Sequence, residues 1–296
     1  MAKRMGGFFM ELCKNKIDVH IHTMDIEPKF KHLAEAPSAI DIIEKYKING
    51  IEKGILQTLV SPESRRFIIT TENTREIAEK YPENFYFAIG LDPRMINNND
   101  KADFSKLLEF YKSKGAVAVG EMTANLYFDD PLYDNLLSQC ADFDLPVTIH
   151  ISPKVGLAYG IVDEAGLYRL EKMLKKYPKL KIIGHSWDFW NYIYKDREVK
   201  KSEEGRLFEL FGKYDNLYAD FSAGSGFTAI RKDEINGLKF INTFKDRVMF
   251  GTDCLFDNEG FNPLALWLDE NYLNGNLSKE LYFNFCRENA VKIFKL

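Results

Sequence analysis

Four of the five histidines in this 296-residue chain stand at the ends of short apolar runs: His20 and His22, two residues apart, then His150 and His185. Two acids, Glu121 and Asp253, close runs of the same kind. Imidazole and carboxylate are the side chains that hold Zn²⁺ and related divalent metals. Residues two apart on a strand face the same side, so His20 and His22 can point at one ion. Singly, each residue has an ordinary explanation: a hydrogen-bonded interior histidine, a salt-bridged glutamate, an aspartate capping the next helix. Six such groups gathered at one rim would be poorly compensated without a cation. The set is therefore expected to bind a divalent metal, one ion or two. Nitrogen and oxygen donors without thiolate suit Zn²⁺ best, with Mn²⁺, Fe²⁺ or Co²⁺ as substitutes.

A common rim requires elements that deliver these side chains together. Eight β-branched and aromatic runs predict strands: Lys16 to His22, Gly54 to Val60, Phe85 to Asp92, Val117 to Met122, Pro146 to Ser152, Lys181 to Ser186, Leu217 to Ser222 and Val248 to Asp253. Their starts recur at the spacing of a strand-helix unit. Helix signals lie between them. Ser38 with Asp41 forms a capping box, Asp130 precedes Pro131, and Gly50 and Gly115 sit where helices stop. Tyr168, Leu170, Met173 and Leu174 outline the apolar face of the helix before the sixth strand. Near-continuous apolar strands suit a parallel sheet covered by helices. The expected fold is an α/β (β/α)8 TIM barrel spanning 1–296 as one domain, with its chemistry at the C-terminal rim of the strands. An open doubly wound sheet is the alternative, but no glycine-rich phosphate loop follows the first strand.

Net charge is −4, and the lysines and arginines are scattered. That pattern lacks a nucleic-acid footprint and favours a small-molecule partner. No run reaches the ~18 apolar residues of a membrane span, and the N-terminal apolar stretch is too short for a signal-peptide core. Four widely separated cysteines suggest neither a zinc knuckle nor a disulfide framework, so a reducing cytoplasm is the expected compartment. Assembly as a homo-oligomer is an expectation from general frequency alone.

Val19-His20-Ile21-His22, Gly120-Glu121, Thr148-Ile149-His150, Gly184-His185-Ser186 and Phe250-Gly251-Thr252-Asp253, in that order, resemble the metal-site motifs of the amidohydrolase superfamily, closest to its amidohydrolase-2 type. The closing Arg287 to Phe294 segment is similar to that family's final helix. The resemblance implies that His20, His22 and His150 are metal ligands. It makes Asp253 a ligand and the acceptor of a proton from water. His185 would bind a second metal or polarise a substrate carbonyl. Glu121 stands where many two-metal relatives have a carboxylated lysine and others, including the TatD-like nucleases, a glutamate, so both one and two metals stay open. A dication lowers the pKa of bound water from about 15.7 towards 7 and neutralises a developing oxyanion, and Asp253 would return the proton to the leaving group.

Around the pocket, Trp187, Phe189, Trp190, Tyr192 and Tyr194 form either an apolar substrate wall or a loop packed on its own core. Arg94, Arg65 and Arg66 are candidates to hold a substrate carboxylate or phosphate. Asp220 and Ser222 end the seventh strand and either touch substrate or tie the rim together. Cys254 reads as a packing residue and His32 as a surface residue. Hydrolysis of an amide, ester or lactone in a small molecule is the first expectation. A metal-dependent non-oxidative decarboxylase of an aromatic or unsaturated acid is second, phosphoester hydrolysis third, and DNA cleavage ranks below these. A catalytically inactive barrel that binds a partner is the reading from another class.

Overall fold

Strands form where the apolar runs fall between helix stops: β1 Lys16–Ile21, β2 Ile51–Leu56, β3 Phe85–Ile89, β4 Ala118–Met122, β5 Val147–Ser152, β6 Ile182–His185, β7 Leu217–Asp220 and β8 Val248–Met249. The computed structural model describes residues 4–5, 8–9, 11–24, 36–64, 68–196, 203–254 and 263–296. Each strand pairs in parallel with the next in sequence, from β1 to β8. The ring is drawn together where Val19 N donates to Phe250 O at 3.0 Å and Asp253 N donates to His20 O at 2.7 Å. Ile21 and Cys254 form a parallel bridge there. This is the expected eight-stranded α/β barrel.

Two apolar layers hold it. One lies between strands and surrounding helices. The other collects Ile17, Val19, Ile55, Ala88, Ala118, Ile183 and Met249 against Ala290, Ile293 and Phe294. A cluster fed by six of the eight strands sits inside the ring, and the C-terminal helix, Asn289–Phe294, plugs one end of it.

Local signals act as expected at several ends. Ser38 Oγ accepts from Asp41 N while Asp41 Oδ2 accepts from Ser38 N, each at 3.2 Å, opening the helix Ala39–Asn49. Gly50 closes that helix at φ 65°, a left-handed conformation that glycine adopts without a Cβ penalty. The same glycine explains a difference from expectation. With no loop after it, β2 begins at Ile51, three residues before Gly54, and ends at Leu56. Tyr168 also departs from the apolar face assigned to it. Leu170, Met173 and Leu174 are buried, but Tyr168 is 68% exposed. Two residues apart on a helix is about 200° of rotation, which turns Tyr168 away from Leu170. No helix among the described residues is long and apolar enough to cross a membrane.

Candidate metal centre

The rim residues converge. His20 Nδ1 donates to Asp220 Oδ2 at 2.6 Å, and His22 Nδ1 donates to the Gln57 carbonyl at 3.2 Å. Both partners are acceptors, so Nδ1 of each ring carries a proton and Nε2 is the atom turned towards the cluster. The two Nε2 atoms are 3.0 Å apart. Ring nitrogens this close share a positive centre, a proton or a metal ion. Asp253 Oδ1 lies 3.7 and 3.4 Å from His20 and His22 Nε2, and Glu121 Oε2 lies 3.8 and 3.5 Å from the same atoms. His20, His22 and Asp253 thus present one donor set.

A second set adjoins it. Glu121 Oε1 accepts from His150 Nδ1 at 2.6 Å, and Glu121, His150 and His185 offer donor atoms within 4.8 Å of one another. Glu121 therefore has one oxygen towards each set. His185 Nε2 is 3.4 Å from Asp253 Oδ2, while its Nδ1 is 3.0 Å from Ser222 Oγ. His20, His22, His185 and Glu121 are sealed, whereas the side chains of His150 and Asp253 are 16% and 19% exposed. A reactant therefore approaches past Asp253 and His150.

Charge in the cluster is strongly coupled to position. Burial opposes protonation of His22, but hydrogen bonding and charge from Asp253 and Glu121 outweigh it and raise the ring to about 9. His185 follows the same pattern, raised to about 9 by Asp253, Asp220 and Glu121 against the effect of burial. Conversely, burial pushes Glu121 and Asp253 up, and the surrounding imidazoles hold both well below the usual carboxylate range. Anionic carboxylates among imidazoles whose Nε2 atoms converge are the donor set a divalent cation needs, the ion taking the place of the protons.

Close backbone approach shapes the pocket. A Cβ on Gly251 would lie 2.8 Å from both Asp220 Oδ1 and Ser222 Cβ. Gly160, at φ 114°, passes so near His150 that a Cβ would come within 2.8 Å of its Cδ2 and carbonyl oxygen. The loop after β5 then lays Tyr159 over His150, ring centroids 4.3 Å apart. It is pinned by Asn125, which donates to Gly160 O at 2.8 Å and accepts from Gly156 N at 2.6 Å.

The remaining expected residues are placed as follows. Asp220, buried behind His20 and also 3.4 Å from His185 Nδ1, ties the rim together. Ser222 does the same through His185. Arg94 is fully engaged, with Nε and Nη2 on Asp92 and a paired contact from Nη1 and Nη2 to Glu63. Those two carboxylates satisfy the group proposed to hold a substrate anion. Phe189, Trp190 and Tyr194 are buried, so most of the aromatic cluster packs on the core, while Trp187 is 56% exposed. Arg65, Arg66 and His32 lie outside the described residues. Gln57, Tyr159 and Asp18 were not singled out from the sequence. Asp18 accepts from Thr252 N at 2.9 Å and from Tyr46 at 3.0 Å, fixing the approach to Asp253.

Residues 17–296 match the family model described as Amidohydrolase. No curated protein sequence matches the chain. Similar solved structures include a 2,6-dihydroxybenzoate decarboxylase complexed with 2,6-dihydroxybenzoate, at 17% identity and a TM-score of 0.65, covering 95% of this chain and 99% of that one. A 5-carboxyvanillate decarboxylase from Novosphingobium aromaticivorans, complexed with manganese and 4-hydroxy-3-methoxy-5-nitrobenzoic acid, is 16% identical with a TM-score of 0.63, over 95% and 96% of the two chains. A probable 2-pyrone-4,6-dicarboxylic acid hydrolase from Acinetobacter baumannii is 14% identical with a TM-score of 0.60, over 95% and 100%. At these identities the likeness is one of fold.

Proposed function

The chain belongs to the amidohydrolase family, and from that premise we propose that it is a metal-dependent non-oxidative decarboxylase of a small aromatic or unsaturated carboxylic acid. The observation that carries the reading is the convergence of His20 Nε2, His22 Nε2 and Asp253 Oδ1 on one point beside the partly open Asp253 carboxylate. Support comes from the recurrence of aryl-acid decarboxylases among barrels of this shape.

A divalent ion held by His20, His22, Asp253 and, from the second set, His150 would supply positive charge for the anionic oxygens of such a substrate. Zn²⁺ and Mn²⁺ both suit these donors, and manganese accompanies two of the similar decarboxylases. The chain's own groups move the proton. His185 Nε2, 3.4 Å from Asp253 Oδ2, stands where it can pass a proton to Asp253, which relays it to the carbon bearing the carboxylate. The bond from that carbon to the carboxylate then breaks, its electron pair returns to the ring, and CO₂ leaves. One proton is taken up for each CO₂ released. Tyr159, lying on His150, provides a flat apolar face at the entrance.

A second reading rests on Glu121. Its two oxygens address both donor sets, an arrangement suited to two ions and to hydrolysis of an amide, ester or lactone. Protein loaded with Zn²⁺ or Mn²⁺ and assayed against hydroxybenzoates, with CO₂ release as the readout, separates the two. Release of CO₂ that disappears in Asp253→Asn supports decarboxylation. Turnover of lactones or esters without CO₂ release moves the assignment to hydrolysis.

A further inference from the structure

Outside the metal cluster, a crevice of about 150 Å³ runs between the turn Trp187–Trp190 and the helix Ala223–Lys232 that follows β7. Its walls are Trp187, Trp190 and Ile193 on one side and Ser225, Ala229 and Lys232 on the other. A cavity of that size takes one benzene-sized ring, and the Trp187 and Trp190 indoles of one wall give it an aromatic lining. Of its polar lining groups, which also include Asn191 and Thr228, Ser225 and Lys232 lack partners among the described residues. Ser225 is 1% exposed, yet its hydroxyl has no hydrogen-bond partner, a state that costs free energy until a ligand or water satisfies it. Lys232 is half-buried and has no ion pair among the described residues.

Ser225, Ala229 and Lys232 follow the i, i+4, i+7 spacing of one helix face. Lys232 stands about two helical turns beyond Ser225, so the two polar groups flank the crevice segment at Ala229. The crevice therefore offers, in line, a hydroxyl, a ring-sized apolar space and a cation. We propose that it is a second binding site for a monocyclic aromatic acid with a hydroxyl opposite its carboxylate, the 4-hydroxybenzoate class. The ring lies against the indole wall, the ligand hydroxyl bonds Ser225 Oγ, and the carboxylate pairs with Lys232.

Both walls connect to the metal cluster. Trp190 Nε1 donates to the Asp220 carbonyl at 3.2 Å, and Ser222, at the start of the helix carrying Ser225, contacts His185. An occupant braces the elements that hold His20 and His185 without entering the cluster. The proposal rests on the crevice itself and stands apart from the decarboxylase reading.

Two of the chain's three tryptophans line the crevice, so intrinsic fluorescence reports occupancy. Titration of the full chain with 4-hydroxybenzoate is expected to give a saturating fluorescence change, separate from any binding at the metal centre, and to be about tenfold tighter than titration with 2-hydroxybenzoate, whose groups are adjacent. Loss of one hydrogen bond in Ser225→Ala is expected to weaken 4-hydroxybenzoate about tenfold, to the level of benzoate. Lys232→Met is expected to weaken both acids, and Ala229→Leu, which fills the space, to abolish binding. His20→Ala is expected to leave binding intact. Loss of binding in His20→Ala would place the ligand in the metal cluster and overturn the proposal. So would quenching that fails to saturate, or equal affinity in Ser225→Ala, Ala229→Leu and the unaltered chain.

Discussion

Asp220 Oδ2 lies 2.6 Å from His20 Nδ1, with both side chains sealed from solvent. This contact fixes which nitrogen of His20 faces the cluster and raises the basicity of that nitrogen. Asp220→Ala is therefore expected to lower divalent-metal affinity 10- to 100-fold while the barrel stays folded. Competition against a chromophoric chelator measures it. An unchanged affinity would show that His20 needs no anchor or is not a ligand.

Glu121 stands between the two donor sets, and its substitution distinguishes one ion from two. Elemental analysis of purified protein reconstituted with Zn²⁺ or Mn²⁺ is expected to give close to one equivalent in both the unaltered chain and Glu121→Gln; two equivalents falling to one in the variant would move the assignment to the two-ion, hydrolytic reading. The variant keeps one oxygen acceptor and loses the charge that two sites would share. One equivalent in both proteins leaves Glu121 as a hydrogen-bond partner of His150 beside a mononuclear site.

The barrel was legible because its evidence is local. Runs such as Val117-Ala118-Val119 and Ile182-Ile183 announce buried parallel strands, and all eight strands form on those runs, the second shifted three residues towards the N-terminus. The cluster was legible for a related reason: the His20 and His22 pair, Glu121, His150, His185 and Asp253 all sit at strand ends, and closure of the ring brings strand ends together. What the sequence hid depends on partners from elsewhere in the fold. Nothing near Asp220 says that it faces His20 across 200 positions, and the ligand-orienting acceptor for His22 is the backbone carbonyl of Gln57, which any residue could supply. Arg94 read as a free anion receptor because Glu63, 31 positions away, meets it only in three dimensions. Tyr159 reaches His150 from a loop without periodic pattern.

Phe294, 4% exposed, closes one end of the barrel against the inner cluster of Ile17, Val19 and Ile55. Truncation to alanine leaves a cavity where collapse is hindered on all sides by strands. Phe294→Ala is expected to destabilise the fold by about 3–5 kcal/mol, measured by denaturant unfolding, without altering metal content. A loss below about 1 kcal/mol would mean that the helix end is not part of the core.

Asp163 supplies the pH dependence easiest to isolate, because it lies away from the metal ligands. Its carboxylate accepts from Leu170 N at 2.7 Å and Arg169 N at 3.2 Å at the start of the helix Tyr168–Lys176. Burial nevertheless dominates and raises it from 3.8 to about 6, against the lowering effect of those two amides. A carboxyl with a raised folded-state pKa contributes stability that is fully present below about pH 4 and is lost as pH rises through 6, because the folded state binds the extra proton. Two pKa units correspond to roughly 3 kcal/mol. Asn at this position keeps one acceptor oxygen and cannot ionise. Asp163→Asn is therefore expected to show a shallower fall in unfolding free energy between pH 4 and 6 than the unaltered chain, and the difference between the two curves cancels contributions from other acids. Denaturant titrations at several pH values in that interval provide the test; parallel curves would mean that Asp163 titrates in the folded protein as it does in the unfolded chain.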